Sequence, residues 1–135
     1  MIYLPKVEYE KIINQAKEEY PLECCGLIAG TKKEEDVYIE KVYALRNIDE
    51  SSEHFSMDPK EQFDTIRAIR GKALILLGNY HSHPYTPSRP SEEDKKLAYD
   101  PKALYGIVSL EKEEPVFNIF KITKEGVEKL EYLIS

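Results

Sequence analysis

The sequence predicts an α/β fold, a mixed central β-sheet flanked by two main helices, and three observations carry that prediction. Short apolar or alternating runs of strand length recur along the chain, at 24–29, 37–45, 73–77, 103–110 and 115–123. Two stretches with helical spacing, 5–20 and 59–70, each have a start signal and a stop signal. No repeat, low-complexity tract or linker interrupts the 135 residues, a length that suits one domain, 1–135, around one core.

Taken in order, Pro5 suits the first helical position, and Tyr9, Ile13, Ala16 and Tyr20 recur at helical spacing beside Ile12 before Pro21 ends the helix. Cys24 to Ala29 is a short apolar run before Gly30 and reads as a buried strand, with Glu23 at its entrance. A charged residue there is costly to bury unless paired. Thr31 to Asp36 reads as a charged turn. Val37 to Leu45 alternates, with Val37, Ile39 and Lys41 set against Tyr38, Glu40 and Val42, and is expected to pair back on the preceding strand. Arg46 to Glu53 is a polar loop, and Phe55 to Met57 a short strand. Asp58 is then an N-cap with Pro59 at the first helical position, the helix running to about Arg70 and stopping at Gly71. Phe63, Ile66, Ala68 and Ile69 supply most of its apolar residues.

Ala73 to Leu77 reads as a buried strand, and His81 and His83 follow at its end. Side chains at i and i+2 of a strand share a face, so both imidazoles project the same way. Pro84, Pro87 and Pro90 stiffen the next loop by fixing φ. Ser91 is a good N-cap for a short helix, and Asp94 at its third position suits the helix dipole. Two imidazoles and a carboxylate make a three-ligand set for zinc with a fourth position for water. The bland alternative is a pair of polar residues at a strand end followed by a capping segment. His54, the third histidine, lies in a loop outside this pattern and is expected to be solvated. Lys95 to Tyr99 continues the short helix to Pro101. Ala103 to Leu110 and Pro115 to Thr123 are strand-like, and Val127 to Ile134 is read as a final strand.

The pattern His-x-His, seven residues, Ser, two residues, Asp is met by His81, His83, Ser91 and Asp94, and Pro21-Leu22-Glu23-Cys24-Cys25-Gly26-Leu27 lies upstream. Together these motifs resemble the signature of the JAMM (MPN+) zinc metalloprotease family, short prokaryotic type, over essentially the whole chain. The resemblance implies the JAMM α/β fold, itself similar to the cytidine-deaminase architecture. It implies zinc (Zn2+) held by His81, His83 and Asp94, with Glu23 as general base and Ser91 as a donor to the oxyanion. It also implies hydrolysis of isopeptide or peptide bonds after the C-terminal tail of a ubiquitin-like or sulfur-carrier protein. Such a tail is expected to add as a strand beside Tyr105 to Ser109, if that stretch has a free edge, with Tyr85 or Arg89 packing over it.

Other classes fit less well. RadC-like, DNA-repair-associated proteins share the His-x-His pattern but typically show His-Asn-His-Pro-Ser-Gly, where this chain has His81-Ser82-His83-Pro84-Tyr85-Thr86. A non-enzymatic MPN scaffold would have lost ligands that are present here. A nucleoside deaminase needs His-x-Glu and Pro-Cys-x-x-Cys, and neither occurs. The net charge of -6 and the lack of a long basic run argue against nucleic acid as a partner. No apolar stretch approaches a membrane span, and the start lacks a signal-peptide pattern, so a cytoplasmic protein is expected. Beyond the conjugate substrate, a second copy of the chain in a homodimer is left open. Cys24 and Cys25 are adjacent, point to opposite faces of a strand, and offer no disulfide framework.

Overall fold

The computed structural model describes residues 1–135 and is a mixed sheet with few helices, as the sequence predicts. In chain order the elements are β1 (Ile2–Leu4), α1 (Lys6–Glu19), β2 (Cys25–Lys33), β3 (Asp36–Leu45), α2 (Pro59–Gly71) and β4 (Ile75–His83). Then come α3 (Glu92–Lys96), β5 (Leu104–Ser109), β6 (Val116–Thr123), β7 (Gly126–Leu130) and β8 (Tyr132–Ile134). The strand order is β7-β6-β5-β4-β2-β3-β1-β8. Pairs β1–β3, β1–β8 and β4–β5 are parallel and the rest antiparallel. Glu131 alone separates β7 from β8, yet the two lie at opposite ends of this order. The sheet therefore curls until its ends are joined by one bent segment, and the Tyr132 hydroxyl donates to Phe117 O across the join (2.6 Å).

Each face of the curled sheet has its own core. On one face Ile12, Ile13 and Ala16 of α1 pack with Leu4, Ile28 and Val108. On the other, Leu27, Ala29 and Leu45 pack with Ile69 of α2. Cys24 belongs to the first core and Cys25 to the second, both buried and both free thiols, as opposite strand faces require. Gly26 and Gly78 permit two close approaches: a Cβ at Gly26 would lie 2.4 Å from Tyr43 O, and one at Gly78 1.9 Å from Leu104 O.

Several expectations are corrected. Pro5 is the N-cap of α1 and not its first residue. The charged segment after Ala29 is mostly strand: the β2–β3 hairpin continues to Lys33 and Asp36, beyond the core, where exposed lysines fit a solvated ladder. Ile39 and Val42, read as opposed, share a core because a β-bulge leaves Glu40 unmatched between Ile39 and Lys41. Val42 N–H donates instead to the buried Glu8 carboxylate of α1 (2.9 Å). Phe55 to Met57 makes only an isolated bridge, Asn47 to Met57. The helix α2 includes Gly71 and buries Ile69 alone, leaving Phe63 exposed. The helix α3 stops at Lys96. The first strand, β1, had no signal in its three residues, and the last segment splits in two to reach both ends of the sheet.

Candidate functional site

The site lies at the carboxyl end of β4, where that strand runs parallel to β5 and a crossover, 84–103, leaves the sheet between them. In open α/β sheets this end of the strands is where ligands collect. The middle of the motif, Ser82, is fully buried and turns to the opposite face from the two histidines. Its Oγ accepts from Cys24 N (2.7 Å), while its own N–H donates to Cys24 O (3.1 Å). That exchange fixes the start of β2 beside the end of β4. Ser82 was missed as a site residue; a serine inside an apolar strand, between two histidines, is the signal that marks it.

His81 and His83 project together, as their spacing requires. Their Nε2 atoms are 3.1 Å apart, and each is 3.1 Å from Asp94 Oδ2. Three potential ligand atoms thus form an equilateral triangle. A tetrahedral zinc with bonds of 2.0–2.1 Å needs ligand atoms about 3.3 Å apart, so the cluster fits such an ion with little adjustment. The tautomer agrees. His83 Nδ1 lies 2.8 Å from Pro87 O, which can only accept, so Nδ1 carries the proton and Nε2 offers its lone pair to the cluster. No ion is present.

The stiff loop is pinned to the sheet at several points. Ser109 Oγ donates to Thr86 O (2.6 Å), Ser88 Oγ donates to Ile107 O (2.7 Å), and Asn118 Nδ2 donates to Ser88 O (3.2 Å). The chain can then return with α3 over the strand end. There Ser91 Oγ accepts from Asp94 N (3.0 Å) and Ser91 N donates to Asp94 Oδ2 (2.9 Å), a reciprocal capping box. Capping uses a lone pair of the Ser91 hydroxyl and leaves its proton free to donate elsewhere.

Glu23 is buried at 3% exposure, and its Oε1 has no hydrogen-bond partner. Burial pushes its carboxyl up to about 8. His83 opposes that rise, and the Asp94, Glu93 and Glu53 carboxylates add to it. An orphaned buried carboxyl is costly unless it serves a ligand or a reaction. Burial also lowers His81, against the pull of Asp94. For His83 burial works downward, but Asp94 and the Pro87 carbonyl outweigh it and raise the group. Asp94, buried but bonded to both imidazoles, is held well below the usual carboxylate range. Phe55 stacks on His81, centroids 4.7 Å apart, and closes the side facing α2. A small cavity beside His81 and Asp94, walled by Phe55, Leu97 and Ile107, adjoins a surface groove through shared walls at Asn79, Leu97 and Tyr105. His54 stays outside, exposed and 3.2 Å from Asp49.

The expected strand addition beside Tyr105 to Ser109 is overturned: β5 is paired with β4 on one edge and β6 on the other, so it has no free ladder to offer.

The chain and its fold have counterparts among known proteins. The Prok-JAB family model, prokaryotic homologs of the JAB domain, matches residues 5–122. The CysO-cysteine peptidase of Mycobacterium tuberculosis is 32% identical over 98 residues, 73% of this chain and 66% of that protein. The probable TtuB-protein conjugate cleaving protease of Thermus thermophilus is 32% identical over 99 residues, 73% of this chain and 64% of that protein. The matched part is therefore about two thirds of each relative's length. A protein of Desulfitobacterium hafniense solved in solution superposes with a TM-score of 0.92 at 45% identity, covering 100% of this chain and 93% of that one.

Proposed function

The chain belongs to the family of prokaryotic homologs of the JAB domain, and we propose that it is a zinc-dependent peptidase of that family. Its substrate is the amide bond joining the C-terminal tail of a ubiquitin-like or sulfur-carrier protein to an amine, either a lysine side chain or a terminal amino acid. One observation carries the reading: a three-point metal cluster, His81, His83 and Asp94, beside a buried carboxyl with no partner, Glu23. The names of relatives that cleave a CysO-cysteine bond and TtuB conjugates support the substrate class.

Zinc at the cluster would supply Lewis-acid polarisation of water and of the amide carbonyl. The residues of the chain do the rest. Glu23, whose carboxyl burial raises to about 8, takes a proton from the attacking water and returns one to the leaving nitrogen. The free hydroxyl proton of Ser91 donates to the carbonyl oxygen as charge develops on it. Phe55 keeps bulk water from the His81 side. The acyl tail reaches the cluster along the apolar groove past Leu97 and Tyr105, since no ladder is free on β5.

The test is Glu23→Gln, assayed on a ubiquitin-like conjugate with zinc content measured in parallel. The variant is expected to keep the fold and its zinc and to lose about 10²–10⁴-fold in kcat. A rate within a few-fold of wild type would remove Glu23 from the mechanism.

A further inference from the structure

We propose that Asn47 is a positioning residue, holding Glu23 at its working point through the 47–57 segment; the proposal rests on the catalytic reading of Glu23 given above. Glu23 lies two residues before the first ladder pair of β2, which begins at Cys25. Its own backbone groups therefore bond to no strand, although the next residue, Cys24, is tied to Ser82. Both of its backbone groups go to the segment between β3 and α2 instead. Glu23 N donates to Ser51 O (2.8 Å), and Glu23 O accepts from Asn47 Nδ2 (3.0 Å).

Asn47 is itself buried, at 4% exposure, and its amide is used on both sides. The second Nδ2 hydrogen goes to His54 O (3.1 Å), and Oδ1 accepts from Asp49 N (3.1 Å) and Ser56 N (3.2 Å). One side chain thus ties four backbone groups of two segments into a single body. The same body carries Phe55 against His81. The backbone of Glu23 and the ring stacked on His81 are thus tied to one amide. No other residue type supplies this. Asp has acceptors only, Gln is longer by a methylene, and Ala leaves the four groups without partners. A displacement of about 1 Å at a catalytic group costs on the order of 10²-fold in rate, so the clamp acts on catalysis and not only on stability.

The experiment uses Asn47→Ala and Asn47→Asp in the full zinc-loaded chain. It measures kcat and KM on the conjugate substrate, zinc content, and native-state hydrogen exchange at the Glu23 amide. Asn47→Ala is expected to lower kcat by on the order of 10²-fold, with KM changed by less than about threefold and zinc still stoichiometric. The Glu23 amide is expected to exchange at least roughly tenfold faster. Asn47→Asp keeps the acceptor half and loses the donor to Glu23 O, so it is expected to move the same way; it decides the matter should the alanine variant fail to fold. Added to Glu23→Gln, Asn47→Ala is expected to cause no further loss, because it acts through Glu23. A folded, zinc-replete Asn47 variant with kcat within about threefold of wild type, or losses that simply add in the double variant, would overturn the proposal. Were Glu23→Gln itself fully active, the function reading would fall, while the exchange rate would still report whether Asn47 clamps Glu23.

Discussion

The two halves of the site are held in different ways. His81 and His83 stand on β4, hydrogen-bonded to β2 on one edge and β5 on the other. Asp94 is fixed three residues from its own cap. Across the centre, Glu23 stands outside the ladder, and its backbone is held by a loop some 24 residues away in sequence. The His81–His83–Asp94 half is therefore set by strand alternation, helix capping and a loop pinned to β5 and β6, and the Glu23 half by bonds from the 47–57 segment. The Glu23 half is where the structure keeps its one orphaned carboxyl oxygen.

The largest effect is expected from breaking the metal half. His83→Ala removes one corner of a 3.1 Å triangle and leaves two ligands for an ion that takes three from protein. Zinc content of the purified variant is expected to fall from about one per chain to near zero, and hydrolysis with it. Equal stoichiometric zinc in variant and wild type would mean that the ion sits elsewhere. Far-UV circular dichroism is expected to stay unchanged, since His83 contributes one strand-end side chain and its backbone bonds remain. That result would sharpen the contrast with Asn47, whose loss spares zinc and strikes the base.

A smaller effect is expected at Ser91, where capping and catalysis meet in one hydroxyl. Ser91→Ala removes both, costing about 1 kcal/mol of cap stability in addition to any catalytic loss. Ser91→Gly separates them, because glycine at an N-cap costs only about a few tenths of a kcal/mol and brings no side-chain donor. Its thermal stability is expected to fall only slightly and its zinc content to match wild type, while kcat falls by about 10²-fold, the usual cost of removing one oxyanion donor. Wild-type kcat in Ser91→Gly would confine Ser91 to the cap.

How much of this was legible follows the same division. The shared face of His81 and His83 and the Ser91–Asp94 cap could be read because each depends on spacing within about one turn or two strand residues, while Asp94 joined the histidines through the motif they share and the loop pinned between them. The two main helices and the five central strands were legible from periodicity and caps, although the run 73–77, read as a buried strand, enters β4 only at Ile75 and leaves Ile75 and Leu76 exposed. What escaped depends on distant partners. The first strand exists only because Ile2 and Tyr3 find Val37 and Tyr38 on one side and Tyr132 and Leu133 on the other. The last segment divides because the curled sheet brings its two ends together. Asn47 looked like one polar loop residue among many, and nothing local reveals that its amide reaches back to Glu23.

The smallest effect is expected at the two cysteines, which test whether the two faces of the sheet are equally closed beside the site. Cys24 faces the α1 core and Cys25 the α2 core, both fully buried. Burial pushes both thiols up to about 12; neighbouring carboxylates push the same way, and for Cys24 the Ser82 hydroxyl partly offsets it. The reactive species is the thiolate, so at pH 8 only about one thiol in 10⁴ is ionised, and burial blocks the reagent besides. Native protein is therefore expected to show no alkylation by iodoacetamide at pH 8 and two adducts per chain in denaturant, read by intact mass. The clamp at Glu23 adds a discriminating arm, since Cys25 pairs with His81 beside the site while Cys24 is tied to Ser82. In Asn47→Ala, Cys25 is expected to label before Cys24 as the entrance of β2 loosens on the site face. Labelling of both at equal rates would mean that the whole start of β2 opens together, and that the two halves of the site are less independent than their hydrogen bonds imply.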